Sequence, residues 1–403
     1  MNFRFSEEEN AFRREVSEFV TGIMKNELRE WRGTPDGRPS CEEDWKLYRE
    51  YKQRLGEKGW LCISWPKEYG GLERPIVDQA IINEQIAYLE APFVGQEATY
   101  IGSTIMVHGT EEQKKEYCLK IAKGRINTCQ GFSEPNAGSD IASLRTRAID
   151  KGDHFVIQGE KVFTSWANHA DYCLLVARTD PDAPRHKGLS IFIVDMKSPG
   201  ITIHPYMCLP GIEVLTQTFW DNVRVPRGDL LGGEKNQGWK QISTCLNFER
   251  SMGGELGGGV VAIGQHRRQL EDLIEYASKC RIDDKLMIED SIFQRKTAEL
   301  AVELEVNRLL AYNVLYKRSK GEPFAFEASA AKLFGSEFKQ RLADVCLQFL
   351  GPFGQLQQGT KWAPFEGSKE YHYRVARTAT IGGGTSEIQR YLIATRDCGL
   401  PRG

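Results

Sequence analysis

The chain has 403 residues, 40% hydrophobic and 27% charged, enough for two or three domains around sizeable cores. Its 53 basic and 55 acidic side chains leave a net charge of −2, which argues against nucleic acid or an anionic membrane as partner, and no apolar stretch is long enough to span a bilayer. The ten cysteines form no CxxC pair, so reduced thiols are expected rather than a disulfide framework or a metal cage. The opening MNFRFSEEEN is too acidic for a transit peptide and lacks an apolar signal core, which predicts a cytoplasmic protein.

Residues 1–125 read as a helical domain. Ser6 and Glu9 form a capping box, and Phe12, Val16, Phe19, Val20 and Ile23 make one apolar face behind it. SWPKEYGGLE (64–73) is a Pro/Gly loop, after which helical patterns resume in IINEQIAYLE and TEEQKKEYCLKIAKG. Residues 126–235 change texture. HFVIQGEKVFTSW, DYCLLVART, GLSIFIVDM, ITIHPYM and TFWDNVRVP are short β-branched and aromatic runs separated by polar turns such as TDPDAPRHKG. No connection is long enough for a crossover helix, so an antiparallel barrel or sandwich is expected. Residues 236–403 turn helical again, with amphipathic stretches over 237–278, 288–318 and 326–350 and a last helix after Gly384. This helix–strand–helix order gives an α+β class and argues against a doubly wound nucleotide-binding sheet.

QGFSEPNAGSDIASLRTRA (130–148) enters the β region with Pro, Gly and two hydroxyls packed into one loop. Alone it is an ordinary connecting turn or a cradle of N–H groups and oxygens for a polar heterocycle or phosphate. With GEKVFTSWANHAD, FWDNVRVP, LNFERSMGG and GGGTSEIQRYLIATR it forms an ordered set, joined by WPKEYGG and GTEEQK near the start. On these motifs the chain resembles the acyl-CoA dehydrogenase family of flavoproteins over nearly its whole length. The resemblance implies an N-terminal helical domain, a middle β domain and a C-terminal four-helix bundle, with FAD as cofactor. It also implies α,β-dehydrogenation of an acyl-CoA in carboxylic-acid catabolism, with a β-hydride passing to flavin N5 and electrons to an electron-transferring flavoprotein.

By position, the resemblance puts Ser133 and Ser165 at the flavin ring and Phe132 and Phe163 as its apolar walls, Phe163 standing where Trp is common. Ser139 matches a serine facing the CoA portion. Thr385 and Glu387, on the turn into the last helix, match residues approaching the FAD adenosine. FLGPFGQ (349–355), with Gly351 and Gly354 and with Gln348 just ahead, resembles a loop that completes a neighbouring subunit's FAD site, so a homodimer or homotetramer is implied.

Many family members carry a catalytic glutamate just before GTS; here that position is Gly383. Other branches keep the base on the first long helix of the C-terminal domain, in an ER pair, and NFER supplies Glu249 and Arg250 there. A Glu–Arg pair on a helix is by itself equally a surface pair. The resemblance assigns Glu249 as base, Arg250 to the substrate side, and the Gly383 amide to the thioester oxygen as in an oxyanion hole. The lost side chain leaves room for a bulky or branched acyl group. An Arg-x-x-Phe-Gly stretch expected after this helix is replaced by Cys280 and Asp283–Asp284, with Arg281 one residue out of step. Two alternatives follow: a non-catalytic member of a heteromeric pair, or a flavin oxidase or monooxygenase on the same scaffold. Acyl length and branching are not legible.

Overall fold

The computed structural model describes residues 5–94, 97–252, 259–282 and 284–401. In chain order the helices are α1 Glu7–Asn26, α2 Glu42–Glu57, α3 Ile76–Tyr88, α4 Gly102–His108, α5 Glu111–Gln113 and α6 Leu119–Ala122. The strands β1 Thr128–Gly131, β2 Arg147–Asp150, β3 His154–Ser165, β4 Tyr172–Arg178, β5 Leu189–Asp195, β6 Ile201–Tyr206 and β7 Leu215–Pro226 follow. Then come α7 Gly238–Met252, α8 Val260–Ala277, a short hairpin pairing Arg281 with Leu286, α9 Ser291–Ser319, α10 Ala325–Leu350, α11 Ser368–Ala379 and α12 Ser386–Leu392. By packing, the described residues form two compact units, one drawn from 1–51, 75–93 and 250–403, the other from 52–74 and 94–249.

In the helical unit, α1 begins as its sequence predicts: Ser6 Oγ accepts from the Glu9 amide at 3.1 Å and Glu9 answers the Ser6 amide at 2.6 Å. Phe12, Val16, Val20 and Ile23 bury one face, while Phe19 is only half-buried. That face packs on α3, and α3 on α8. α3 is buried on every side, so its polar groups must be paired. Glu84 accepts from Arg13 at 3.0 Å and from the Tyr312 hydroxyl at 2.8 Å. Gly264 permits the approach of α8, because a Cβ there would stand 2.3 Å from the Glu84 carbonyl.

In the β unit the sheet order is β1-β4-β2-β3-β7-β6, with β5 pairing β4. Phe155, Ile157, Leu175, Phe192, Val194, Trp220, Val223 and Val225 form its core. The β2–β3, β3–β7, β4–β5 and β6–β7 pairs are antiparallel, as expected. The β1–β4 and β2–β4 pairs are parallel. No crossover helix is needed for this, because the β2–β3 excursion itself carries the chain back to lay β4 between β1 and β2. No described helix is long and apolar enough to cross a membrane.

Candidate active site

In the β unit, Phe132 and Ser133 follow β1 directly. The Val162 amide donates to the Ser133 carbonyl at 2.9 Å, which brings this segment beside the end of β3. Phe163 and Ser165 lie on that end, where the β3–β7 register slips between Lys161 and Thr164. Phe163 takes φ +58°, a left-handed backbone that costs a non-glycine residue about 1–2 kcal/mol, and its side chain is left 62% exposed. Backbone strain of this kind recurs at functional sites. Ser133 and Ser165 are half-buried, Phe132 is buried, and Ser139 is exposed on the following turn. Between Phe163 and Ser165, the buried Thr164 hydroxyl has no hydrogen-bond partner among the described residues. Hydroxyls beside an open aromatic face fit a flat, polar heterocycle.

Glu249 sits near the end of α7 and is half-buried; Arg250 beside it is buried. Gly238 lets α7 start against β5, since a Cβ there would lie 2.6 Å from the Leu189 carbonyl carbon. Cys245, one turn before Glu249, is fully buried, and its thiol is pushed well up by burial and then by the Glu249 charge, against a hydrogen bond with Thr104. It is a packing thiol, not a nucleophile. Cys129 is buried likewise.

In the helical unit, Gly383 and Gly384 take φ +65° and +88°, so the turn needs the freedom that glycine gives. Its carbonyls are tied down: Gln389 Nε2 donates to Gly383 O at 3.1 Å, and Lys332 Nζ to Gly384 O at 2.7 Å. Thr385 then caps α12, accepting from the Ile388 amide at 3.2 Å. Thr385 and Glu387 line a cleft of about 520 Å³ with Gln340, Arg341 and Arg390. Hydrogen bonds from its own amide and from Thr385 hold the exposed Glu387 carboxyl below its ordinary range. Ser386 also lines this cleft, and its buried Oγ has no partner. Gln348 and Gly351 line a second cleft of about 310 Å³, and Asp344 borders both. Gly354 lets its loop close on α10, with a Cβ meeting the Leu347 carbonyl at 3.1 Å. The cleft mixes charges: Arg390 pairs with Glu337 at 2.6 Å and Arg341 with Glu303 at 2.6 Å, and Asp344 and Glu387 line it beside the Ser386 hydroxyl.

Cys280 packs half-buried against the helical core. Arg281 donates to the Asp284 carbonyl within its own hairpin, and Asp284 takes φ +66°. Asp283 lies outside the described residues.

Family models of the acyl-CoA dehydrogenase N-terminal, middle and C-terminal domains match residues 6–125, 129–219 and 236–397. Acyl-CoA dehydrogenase FadE26 of Mycobacterium tuberculosis is 32% identical, covering 100% of this chain and 99% of that protein. The chain belongs to the acyl-CoA dehydrogenase family. It is an oxidoreductase of that class, and its cofactor is FAD. FadE29 of the same organism is 34% identical over 92% of this chain and 93% of its own. Among solved structures, the Tcur3481-Tcur3483 steroid ACAD superposes with a TM-score of 0.89 at 35% identity, and the ChsE4-ChsE5 complex from Mycobacterium tuberculosis with 0.89 at 32%. Each covers 100% of both chains.

Sequence reasoning about this acyl-CoA dehydrogenase passed over four buried or tethering side chains: Glu134, Lys161, Lys332 and Gln389. Glu134, Lys161 and Gln389 lay inside the motifs SEP, GEK and EIQ, whereas Lys332 on α10 carried no local signal.

Proposed function

We propose that this acyl-CoA dehydrogenase desaturates a bulky, steroid-type acyl-CoA thioester at its α,β bond, with Glu249 as the base. The observation that carries this reading is Gly383: a left-handed glycine where a side-chain carboxylate would otherwise stand. Glycine has no side chain to take a proton, so the base must come from elsewhere. Glu249 takes the α-proton, Arg250 orients the substrate side, and the Gly383 N–H donates to the thioester oxygen, stabilising the developing enolate. Ser133 and Ser165 hydrogen-bond the flavin ring, Phe132 and Phe163 wall it, and Ser139 serves the CoA portion. Thr385, Glu387, Gln348, Gly351 and Gly354 serve the ADP part of FAD. The bound flavin supplies the hydride- and electron-accepting chemistry. Two relatives are described as a steroid ACAD and as a two-component complex, which supports the substrate class and a heteromeric assembly with a related subunit. Cys280 in the expected arginine place favours the same assembly over a homo-oligomer. An electron-transferring flavoprotein accepts the electrons, and the chain is organised in segments 1–125, 126–235 and 236–403.

The test is anaerobic flavin bleaching by a panel of acyl-CoA thioesters. Glu249→Gln should keep its FAD while flavin reduction slows by ~10²–10⁴-fold. Reduction at nearly the native rate would remove Glu249 from the role of base; preference for short straight chains would remove the steroid-type assignment.

A further inference from the structure

We propose that Lys161 is a positioning residue for the flavin: its buried ammonium clamps the Ser133 segment to the end of β3 and so fixes two ring-contacting segments together. The inference rests on the reading that Ser133, Phe163 and Ser165 seat the ring.

Lys161 has no exposed surface, and removing a charge from water costs several kcal/mol unless good partners replace it. The partners here are unusual in where they lie. Lys161 Nζ donates to the Phe132 carbonyl at 3.1 Å and to Glu134 Oε1 at 2.9 Å, the two residues flanking Ser133. The next residue, Val162, gives its amide to the Ser133 carbonyl at 2.9 Å. Three successive residues, 132–134, are therefore held by two successive residues of β3, directly ahead of Phe163 and Ser165. Glu134 is itself anchored from the other side by the amides of Arg145 at 2.6 Å and Thr146 at 2.8 Å.

The clamp sits where the sheet needs one. The β3–β7 ladder is interrupted between Lys161 and Thr164, and Phe163 there adopts its left-handed backbone. Ladder hydrogen bonds cannot fix this stretch, so an attachment from the opposite neighbour must. Gly131, just ahead of the clamped residues, lets β1 pack closely on β4: a Cβ there would come within 2.8 Å of Leu175 Cδ1 and 2.9 Å of Cys173 Sγ. Hydrogen-bonding sites lose function when their supports leave them about 1 Å loose.

Lys161→Met keeps the stem and removes the ammonium; Glu134→Gln keeps shape and removes the opposing charge. Val194→Ala, in the apolar core of the same sheet, is the control for destabilisation without loss of the clamp. Each protein is stripped of FAD and titrated with it, and the dissociation constant and the shape of the visible flavin band are read. Lys161→Met should weaken FAD binding by roughly tenfold or more and alter the band. Glu134→Gln should do the same to a smaller extent, and Val194→Ala should stay within about twofold of native. Native-like affinity and band in Lys161→Met, or an equal loss in Val194→Ala, would overturn the proposal. If Lys161→Met does not fold, Glu134→Gln decides, and native-like binding there overturns it. Failure of both to fold would make the pair a folding requirement only, which also overturns it. A native protein that takes up no FAD would instead remove the flavin-seat reading.

Discussion

In the β unit the interior is apolar, built on Phe155, Phe192, Val194 and Trp220, and its most deeply buried charge, Lys161, meets a carbonyl and a carboxylate. In the helical unit α8 turns Gln265, His266, Gln269 and Asp272 inward, while Asn307, Lys339 and His372 are buried on α9, α10 and α11. There, Gln265 Oε1, His266 Nε2, Gln269 Nε2, Asn307 Oδ1 and His372 Nδ1 have no hydrogen-bond partner among the described residues. Orphaned groups of this kind are satisfied by buried water. The β unit thus pairs its most deeply buried charge directly with protein groups, whereas the helical unit adds a polar interior to its apolar one.

Truncating the apolar interior gives the largest effect. Phe192→Ala should cost about 3–5 kcal/mol in urea unfolding, through lost transfer energy and a cavity. A loss under about 1 kcal/mol would mean that the sheet core is loosely packed.

Acid should single out the helical unit. Burial holds His266 well below its ordinary range and His372 at about 3, with Lys339 acting on both and Lys369, Arg38 and Asp36 also facing His372. Of these Asp36 alone favours the charged imidazole. The unfolded chain therefore binds more protons than the folded one below about pH 6.5. Stability is complete above that pH and falls on acidification towards the folded values, by about 3 kcal/mol for the pair between roughly pH 6.5 and 5. His372→Gln should halve the slope of stability against pH; an unchanged slope would show that this histidine already titrates normally when folded.

Ser6→Ala removes a cap at the margin of the helical unit and touches neither interior. It should cost about 1 kcal/mol, read as a small drop in thermal midpoint. The smallest expected effect is the most telling for the comparison. His266→Leu with Asn307→Leu removes both members of a 3.4 Å contact, and replacing both partners by apolar groups is close to neutral. A loss beyond about 2 kcal/mol would show that the polar interior, water included, is an integral stabilising network.

The same contrast explains what the sequence made legible. The strands of the β unit were readable as β-branched and aromatic runs between polar turns; burial alternates on β3 at Phe155 and Ile157 but is continuous along most of β4 and β5. The parallel place of β4 was not, because β1 is closed at Thr128↔Tyr172 by tertiary packing rather than by any local signal. In the helical unit the helices were readable but their inward faces were not: His266 and Lys339 occupy buried positions that hydropathy assigns to solvent. The serines, the triglycine turn and Thr385 were visible as motifs. Lys161 and Glu134 were quoted within those motifs without a role, because their meaning lies in a pairing across 27 positions of chain.

The interleaving of the two units bears on how the protein is made. α3 leaves the ribosome with Ala80 and Ala87 uncovered on the face that meets α8, and α8 begins only at Val260. Residues 94–249 are translated in between, on the order of ten to thirty seconds at ~5–20 residues per second. Through that interval this face of α3 has no partner helix, whereas the β unit completes its sheet while synthesis continues. Slowed elongation between Phe93 and Arg250 should therefore lower soluble yield through the helices already made, not through the strands being made.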